Sequence, residues 1–110
     1  MIMNNINSII LEGDIVKDAL LKRINETSSV CCFTIATNSY HKKDDETIQE
    51  TSYIDIEFWH KNINERYVDF KKGTKVRIVG RIKQNRWIDT YGNNKQQIVI
   101  ITDHIEICRK

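Results

Sequence analysis

The stretch Ser52–Lys83, SYIDIEFWHKNINERYVDFKKGTKVRIVGRIK, decides the predicted fold, because it reads as a strand, a short helix and a second strand in that order. Apolar and polar residues alternate in Ser52–Trp59, as they do in a half-buried strand. A capping-box pattern begins at Asn62 and a glycine, Gly73, closes the segment, which predicts a helix of about two turns. The alternation resumes in Lys75–Lys83, so a second strand follows the helix.

Three more strands are predicted outside this stretch. Two precede it and one follows it: Ser8–Val16, Val30–Tyr40 and Gln97–Ile107. The polar segment 17–29 is predicted to connect the first two strands. The charged run 41–50 lacks apolar periodicity, which predicts an exposed hairpin arm or a mobile loop.

Five strands with one short helix between the third and the fourth predict an all-β fold with one short helix. This element order is typical of a five-stranded Greek-key barrel of the oligonucleotide-binding type, the OB-fold, with long hairpin loops. A small open α+β sheet is the alternative that the pattern leaves open. The fourth strand is predicted to point these residues inward: Val76, Ile78, Gly80 and Ile82. The apolar run Ile98–Ile101 of the last strand is expected to be covered on both faces.

Length and composition indicate one globular domain, residues 1–110. The chain is 40% hydrophobic and 29% charged, which is ordinary for a globular protein. It has no apolar run long enough to span a bilayer and no secretory signal at its start. No membrane association and a cytoplasmic location are therefore expected.

The three cysteines predict free thiols rather than a metal site. Cys31 and Cys32 are adjacent, so they point to opposite faces of a strand and cannot easily hold one metal ion. A zinc site that adds His104 and Cys108 matches no standard ligand spacing. Buried free thiols in a reducing compartment are expected, with no cofactor and no metal.

Basic and acidic residues are separated along the chain, although the net charge is only +2. Seven basic residues and no acidic residue lie between Phe70 and Ile88, whereas six carboxylates lie between His41 and Glu57. The basic segment predicts a surface that binds a polyanion, with an ordinary solvated face as the alternative.

The sequence contains no motif for catalysis. Its four glycines are isolated, so it has no phosphate-binding loop. The three histidines, His41, His60 and His104, have no partner at the spacing of a catalytic triad. The consecutive carboxylates at 44–46 are expected to be solvated. No catalytic residue and no enzymatic activity are predicted; an enzyme that modifies nucleic acids through a site assembled in space is the minor alternative.

Aromatic residues lie among the polar and basic ones. Tyr40 ends the second strand, Tyr53 and Trp59 share the outer face of the third, and Trp87 and Tyr91 lie in the turn region after the basic strand. Exposed bases stack on aromatic faces regardless of sequence, while Lys and Arg contact the phosphates. The pattern therefore predicts single-stranded DNA as the partner, bound by stacking and a basic groove.

The aromatic residues could also have structural roles in place of DNA binding. Tyr53 and Trp59 could instead pack under the charged arm or in a subunit interface. Trp87 is harder to bury on a polar turn. Asp55 and Glu57 share the predicted face of Tyr53 and Trp59, so either the phosphates avoid these carboxylates or the carboxylates pair with the basic strand.

The chain resembles the bacterial-type single-stranded DNA-binding proteins over about residues 4–107. Five segments carry the resemblance: INSIILEGDIVKD, FTIATNSY, SYIDIEFWHK, VDFKKGTKVRIVGRIKQNRWID and IVIITDHIEI. Their ordered combination is far more specific than any one of them. The resemblance implies an OB-fold protein, usually a homotetramer, that is associated with the nucleoid and wraps single-stranded DNA in replication, recombination and repair.

The resemblance also implies which residues contact DNA. The family's stacking aromatics fall on Tyr40, Tyr53, Trp59 and Trp87. Its phosphate contacts fall on Lys61, Lys72 and Arg86. The strand pattern, more than the family, adds Arg77, Arg81 and Lys83. Tyr91 rests on its position alone, and its alternative role is to brace the hairpin.

Two features of the family pattern are missing. The acidic tail of the family has no counterpart after Lys110, so a tail-less form is expected, and replication and repair partners recruited through such a tail are not. The Asp-Pro pair after the first strand is here Asp18 and Ala19. A dimeric primosomal replication-restart or adaptor module of the same fold is the alternative function, and it would assemble as a dimer rather than a tetramer.

Overall fold

The computed structural model describes residues 3–60 and 69–108. These residues form six strands, and the helix predicted from Asn62 falls largely outside the described ranges. Within those ranges, no helix has the length and apolar character needed to cross a membrane. The strands are β1 Ile9–Ile15, β2 Leu20–Arg23, β3 Ser29–Lys43, β4 Glu46–His60, β5 Lys75–Ile88 and β6 Asn94–Ile107.

Five of these strands close into a barrel. The strand order in the sheet is β1-β5-β6-β4-β3-β2, and β1 also pairs with β3, which joins the two sides of the sheet. β4 and β6 run parallel, and the other paired neighbours run antiparallel. The OB-fold barrel predicted from the sequence is therefore confirmed, and the open α+β sheet is wrong.

The short strand β2 lies in the segment 17–29 that the sequence predicts to be a polar connection. β2 pairs with β3, with Leu20 opposite Cys32 and Arg23 opposite Ser29. Leu21 packs against the core, whereas Leu20 is exposed. An edge strand of four residues has too few alternating positions for the sequence pattern to indicate it.

Alternate strand residues fill the barrel interior, as the sequence predicts. The main core residues are Ile15, Cys31, Phe33, Ile35, Ile56, Phe58, Phe70, Val76, Ile78, Ile100 and Ile105. Phe70 stacks on Phe33 with ring centroids 5.6 Å apart and meets Phe58 edge-on at 6.2 Å. Full burial of such a ring contributes about 1.5–3 kcal/mol. The three rings therefore form a substantial part of the core.

Two isoleucines that the sequence predicts to be buried are exposed instead. Ile82 is 46% exposed and Ile98 is 55% exposed, although their neighbours Ile78 and Ile100 are buried. The ribbon of β5 and β6 continues past the barrel at this point, so its inner face no longer meets an opposing strand. The expectation that both residues are covered is wrong for this reason.

Two glycines allow neighbouring backbones to approach closely where the barrel closes. A Cβ atom on Gly13 would lie 2.6 Å from the carbonyl oxygen of Ala36. A Cβ atom on Gly80 would overlap the carbonyl oxygen of Ile101. Gly13 lies where β1 changes its partner from β5 to β3, and Gly80 lies at a bulge in the ladder between β5 and β6.

Gly80→Ala should lower the free energy of unfolding by about 3 kcal/mol, because the added methyl group must displace backbone rather than a flexible side chain. Urea denaturation followed by circular dichroism measures this loss. Gly92→Ala is the control: its φ is +82° but no atom lies within 4 Å of the added Cβ, so the left-handed backbone alone should cost about 1 kcal/mol. Equal losses in the two variants would contradict the role of close approach at Gly80.

Candidate nucleic-acid interface

Two long hairpins project from the same end of the barrel. β4 and β6 pair in parallel only where Ile56 meets Ile100 and Glu57 meets Ile101. Both strands run from their hairpin turns toward these pairs, so both turns lie at the same end. We call these extensions the β3–β4 arm, residues 38–51, and the β5–β6 arm, residues 84–98. Their turns lie roughly 33 Å and 20 Å from the parallel pairs, at 3.3 Å per residue.

Much of the sequence predicted to be loop is paired strand in these arms. His41 is opposite Ile48, and Trp87 is opposite Lys95. The β3–β4 arm closes through a two-residue turn at 44–45, where both aspartates have a positive φ, as a type I′ turn requires. The charged run is therefore a hairpin arm, and the turn region near Trp87 is reduced to residues 89–93.

Outward residues of β4 carry two rings and two carboxylates in one row. The row is Tyr53, Asp55, Glu57 and Trp59, which alternate with the buried Ile56 and Phe58. The Tyr53 side chain is 70% exposed and that of Trp59 is 41% exposed. Neither ring is packed under the charged arm, so both present aromatic surface on this chain.

Trp87 lies on the outer face of the β5–β6 arm and is 47% exposed. Strand alternation places Lys83 and Asn85 on this same face and Arg86 on the opposite one. The Arg86 Nε atom donates a hydrogen bond to the Gln84 side chain at 2.9 Å. Arg86 and Trp87 therefore point to opposite faces of the arm, although both line one open cleft of about 760 Å³ near the turn.

Neutral donors hold the carboxylate of Asp55. The Thr34 hydroxyl donates to its Oδ1 at 2.8 Å, and the Gln97 side-chain amide donates to its Oδ2 at 2.8 Å. Thr34 belongs to β3 and Gln97 to β6, so Asp55 ties three neighbouring strands together at the base of the two arms.

Glu57 is held in the same manner. The Trp59 indole Nε1 donates to its Oε1 at 3.0 Å, and the Asn85 side-chain amide donates to its Oε2 at 3.2 Å. In the described ranges neither Glu57 nor Asp55 forms an ion pair with Lys or Arg. Among the described residues, the link between these carboxylates and the basic strand β5 is therefore the hydrogen bond from the neutral Asn85 to Glu57.

Two of the predicted phosphate-binding arginines are already ion-paired. The Arg77 Nη2 atom lies 2.9 Å from Glu12 Oε2, and the Arg81 Nη1 atom lies 2.6 Å from Asp103 Oδ1. Lys83 makes no ion pair with any residue that the structure describes. Its charge is therefore less compensated than those of the two arginines.

Several clefts lie on the outer face of the part of the chain that the structure describes, and two of them concern the charged residues. One, of about 410 Å³, is lined by Trp59, Arg81 and Lys83, among others. The other, of about 450 Å³, is lined by Asp55 and Glu57, by Asp18, and by Lys17 and Lys22. Sequence reasoning missed these last two lysines, because Lys22 lies on the short strand β2 and Lys17 lies just before it, in a segment predicted to be a connection.

Two other predicted contacts, Tyr40 and Lys72, lie away from these two clefts. Tyr40 is exposed on the β3–β4 arm and lines a shallow pocket with Asp14 and Lys75. Lys72 is exposed, and its backbone N–H donates to the Asp18 carboxylate at 2.8 Å. Lys61 lies outside the described residues.

The adjacent cysteines point to opposite faces of β3, as predicted. Cys31 lies in the core, where burial raises the pKa of its thiol to about 12. Cys32 faces outward beside Glu57, and partial burial followed by that carboxylate raises its pKa as well. Both thiols are therefore protonated at neutral pH and are poor metal ligands and nucleophiles.

The β5–β6 arm ends in a turn organised by Asp89. Its Oδ1 atom accepts hydrogen bonds from the backbone N–H groups of Tyr91 and Asn93, each at 2.9 Å. The bond from Asn93 is the main cause that lowers the pKa of Asp89. Gly92, with a φ of +82°, supplies the left-handed residue of this turn. The Tyr91 ring itself points into solvent.

Residues 6–108 match the model of the single-strand binding protein family. The chain is 26% identical over 105 residues to the single-stranded DNA-binding protein of Treponema pallidum (strain Nichols), covering 96% of this chain and 59% of that protein. It is 30% identical over 106 residues to the single-stranded DNA-binding protein of Borreliella burgdorferi, covering 96% of this chain and 71% of that protein.

The fold is also similar to a solved structure described as a Plasmodium falciparum SSB complex with ssDNA. The two structures superpose with a TM-score of 0.84 at 22% sequence identity, covering 99% of this chain and 100% of the other. This likeness supports the OB-fold architecture.

The amide protons of Tyr91 and Asn93 should titrate with a midpoint below pH 3.8, the ordinary pKa of an aspartate, in ¹H–¹⁵N NMR spectra recorded over falling pH. Because the folded-state pKa of Asp89 is lowered, its ionised carboxylate stabilises the turn at pH values above the unfolded-state pKa. This stabilisation is lost as the pH falls through the folded-state pKa. Asp89→Asn keeps an acceptor oxygen but should abolish the titration. A midpoint at or above 3.8 would contradict the turn described above.

Proposed function

The chain belongs to the single-strand binding protein family, and we propose that it binds single-stranded DNA without sequence preference and protects it in DNA replication, recombination and repair. Similar relatives are themselves named single-stranded DNA-binding proteins, which favours this function over a replication-restart or adaptor module. We assign no catalytic role to the chain, in keeping with a family of non-catalytic DNA-binding proteins.

Three exposed rings support the proposal most directly. Tyr53, Trp59 and Trp87 are all exposed on the outer face that the two arms flank. Stacking of a base on such a ring contributes about 1–3 kcal/mol, whereas an exposed ion pair contributes about 0–1 kcal/mol. Stacking requires unpaired bases, so the rings account for a preference for single strands over duplex DNA.

The charges on this face orient the strand in the proposed complex. Asp55 and Glu57 line one cleft and repel phosphates, so the bases face these carboxylates and the phosphates lie farther from them. Lys17 and Lys22 line the same cleft as the two carboxylates, and Lys83 lines the other cleft, beside Trp59. The phosphates thereby avoid the carboxylates, which was one of the two possibilities open from the sequence.

The remaining predicted contacts take secondary places in this proposal. Tyr40 would extend the stacking surface along the β3–β4 arm. Lys72 and Arg86 would contact phosphates away from the cleft that holds Asp55 and Glu57, and Lys61 would be a further phosphate contact. Arg77 and Arg81 would contribute less than their charge suggests, because Glu12 and Asp103 already compensate them.

We also propose that the chain assembles as a homotetramer and is cytoplasmic, associated with the nucleoid. Among the described residues, β1 pairs with β3 only at Asp14 and Ile15, which leaves the rest of that edge without a strand partner, and its outward Ile10 is exposed. Such an edge favours pairing with another copy. Light scattering should give four times the 13.0 kDa chain mass, and twice that mass would instead indicate the dimer.

Saturating oligo-dT at low salt should quench most of the tryptophan emission, because the only two tryptophans of the chain, Trp59 and Trp87, both face the proposed DNA path. Duplex DNA should quench much less. Trp87→Ala should lose part of the quenching and about 1–3 kcal/mol of binding free energy. Tyr91→Ala, a ring on the same arm that points into solvent, should bind nearly as the wild type does. Emission that stays unchanged at saturation would rule out stacking.

Lys83→Ala should reduce the slope of log K against log salt by about 0.7 for oligo-dT, because one phosphate contact is lost. Arg77→Ala is the control. It removes the same charge, but from a guanidinium paired with Glu12 and roughly 20 Å farther along β5. Its slope should change by less than half as much. Equal changes in the two variants would show that net charge, and not the position of Lys83 beside the cleft, governs binding.

A further inference from the structure

Glu57 stands out on the outer face, because it places a negative charge where the proposed ligand is a polyanion. Glu57 is half-buried, and both of its carboxylate oxygens accept hydrogen bonds. One bond comes from the indole of Trp59 and the other from Asn85 on β5. The carboxylate therefore joins a ring on β4 to the base of the β5–β6 arm.

The bond from Trp59 fixes the orientation of its ring. An indole has a single N–H donor, and a hydrogen bond to an ionised acceptor is stronger than one between neutral groups. The ring is thus held at its N–H edge, while 41% of the side chain stays exposed beside Arg81 and Lys83. Asn85 holds the other carboxylate oxygen, so the acceptor itself has little freedom.

We propose that Glu57 is a positioning residue that holds the Trp59 ring ready for base stacking, an inference that rests on the proposed function. A ring that is already immobilised loses less conformational entropy when a base stacks on it. Immobilising one such side chain on binding costs affinity by roughly two- to tenfold. This gain offsets the repulsion that the carboxylate exerts on the phosphates.

The two effects of Glu57 have opposite signs and different salt dependence. Repulsion between its charge and the phosphates is screened as the ionic strength rises, and little of it remains at 1 M salt. The orientation of the Trp59 ring is a short-range effect that high salt does not remove. Binding measured over a range of salt concentrations therefore separates them.

The test compares Glu57→Ala with Glu57→Gln in binding of oligo-dT from 0.05 M to 1 M salt. Glu57→Gln keeps an acceptor for the indole but removes the charge, so it should bind more tightly than the wild type at low salt and equally at high salt. Glu57→Ala removes the acceptor as well, so it should bind roughly two- to tenfold more weakly than Glu57→Gln at high salt. Asp55→Asn, a change of charge on the same face without a bonded ring, should behave as Glu57→Gln does.

A second readout needs no DNA. The indole N–H proton of Trp59, assigned by its persistence in Trp87→Phe, should lie downfield and exchange slowly in the free protein. Glu57→Ala should shift it upfield and speed its exchange, and Glu57→Gln should retain most of both properties. If Glu57→Ala does not fold, Asn85→Ala should give the same changes to a smaller degree, because it frees the carboxylate that holds the ring.

Equal binding of Glu57→Ala and Glu57→Gln at high salt would overturn the positioning role, and so would an unchanged indole resonance. Both outcomes would leave the proposed function intact as long as the wild type binds oligo-dT. If the wild type does not bind oligo-dT, the proposed function fails and the positioning role fails with it.

Discussion

The parallel pairing of β4 with β6 is the constraint on which the rest of the architecture depends. It is confined to two residue pairs, Ile56 with Ile100 and Glu57 with Ile101. This pairing closes the five-stranded barrel, and it places both hairpin turns at the same end of it. It also brings the outward residues of β4 next to those of β6 and β5. The shared surface between the arms exists because this short parallel ladder places the two hairpins side by side.

That surface combines groups whose effects on a nucleic acid oppose one another. Exposed rings favour unpaired bases, whereas Asp55 and Glu57 disfavour phosphates at the same place. Ion pairs with Glu12 and Asp103 further reduce the available positive charge. With a net charge of only +2, the proposed DNA binding depends on stacking more than on attraction to phosphates. A face of this kind favours single strands through their exposed bases.

Sequence periodicity predicted the barrel strands well, because a period of two reports burial wherever one face of a strand meets a core. Tyr53 and Trp59 were placed outward correctly on that basis. The same pattern failed for Ile82 and Ile98, since the ribbon that carries them leaves the barrel and has no opposing layer. It also missed β2, whose four residues offer too few alternations.

The sequence by itself determined which side chains of a strand share a face, because strand geometry alternates them regardless of what lies nearby. Only the tertiary structure decided which outward residues meet. Glu57 and Asn85 are 28 positions apart, and Asp55 and Gln97 are 42 apart, yet each pair is hydrogen-bonded. These contacts follow from the register of backbone pairing between strands that are distant in sequence, and no local pattern of residues encodes that register.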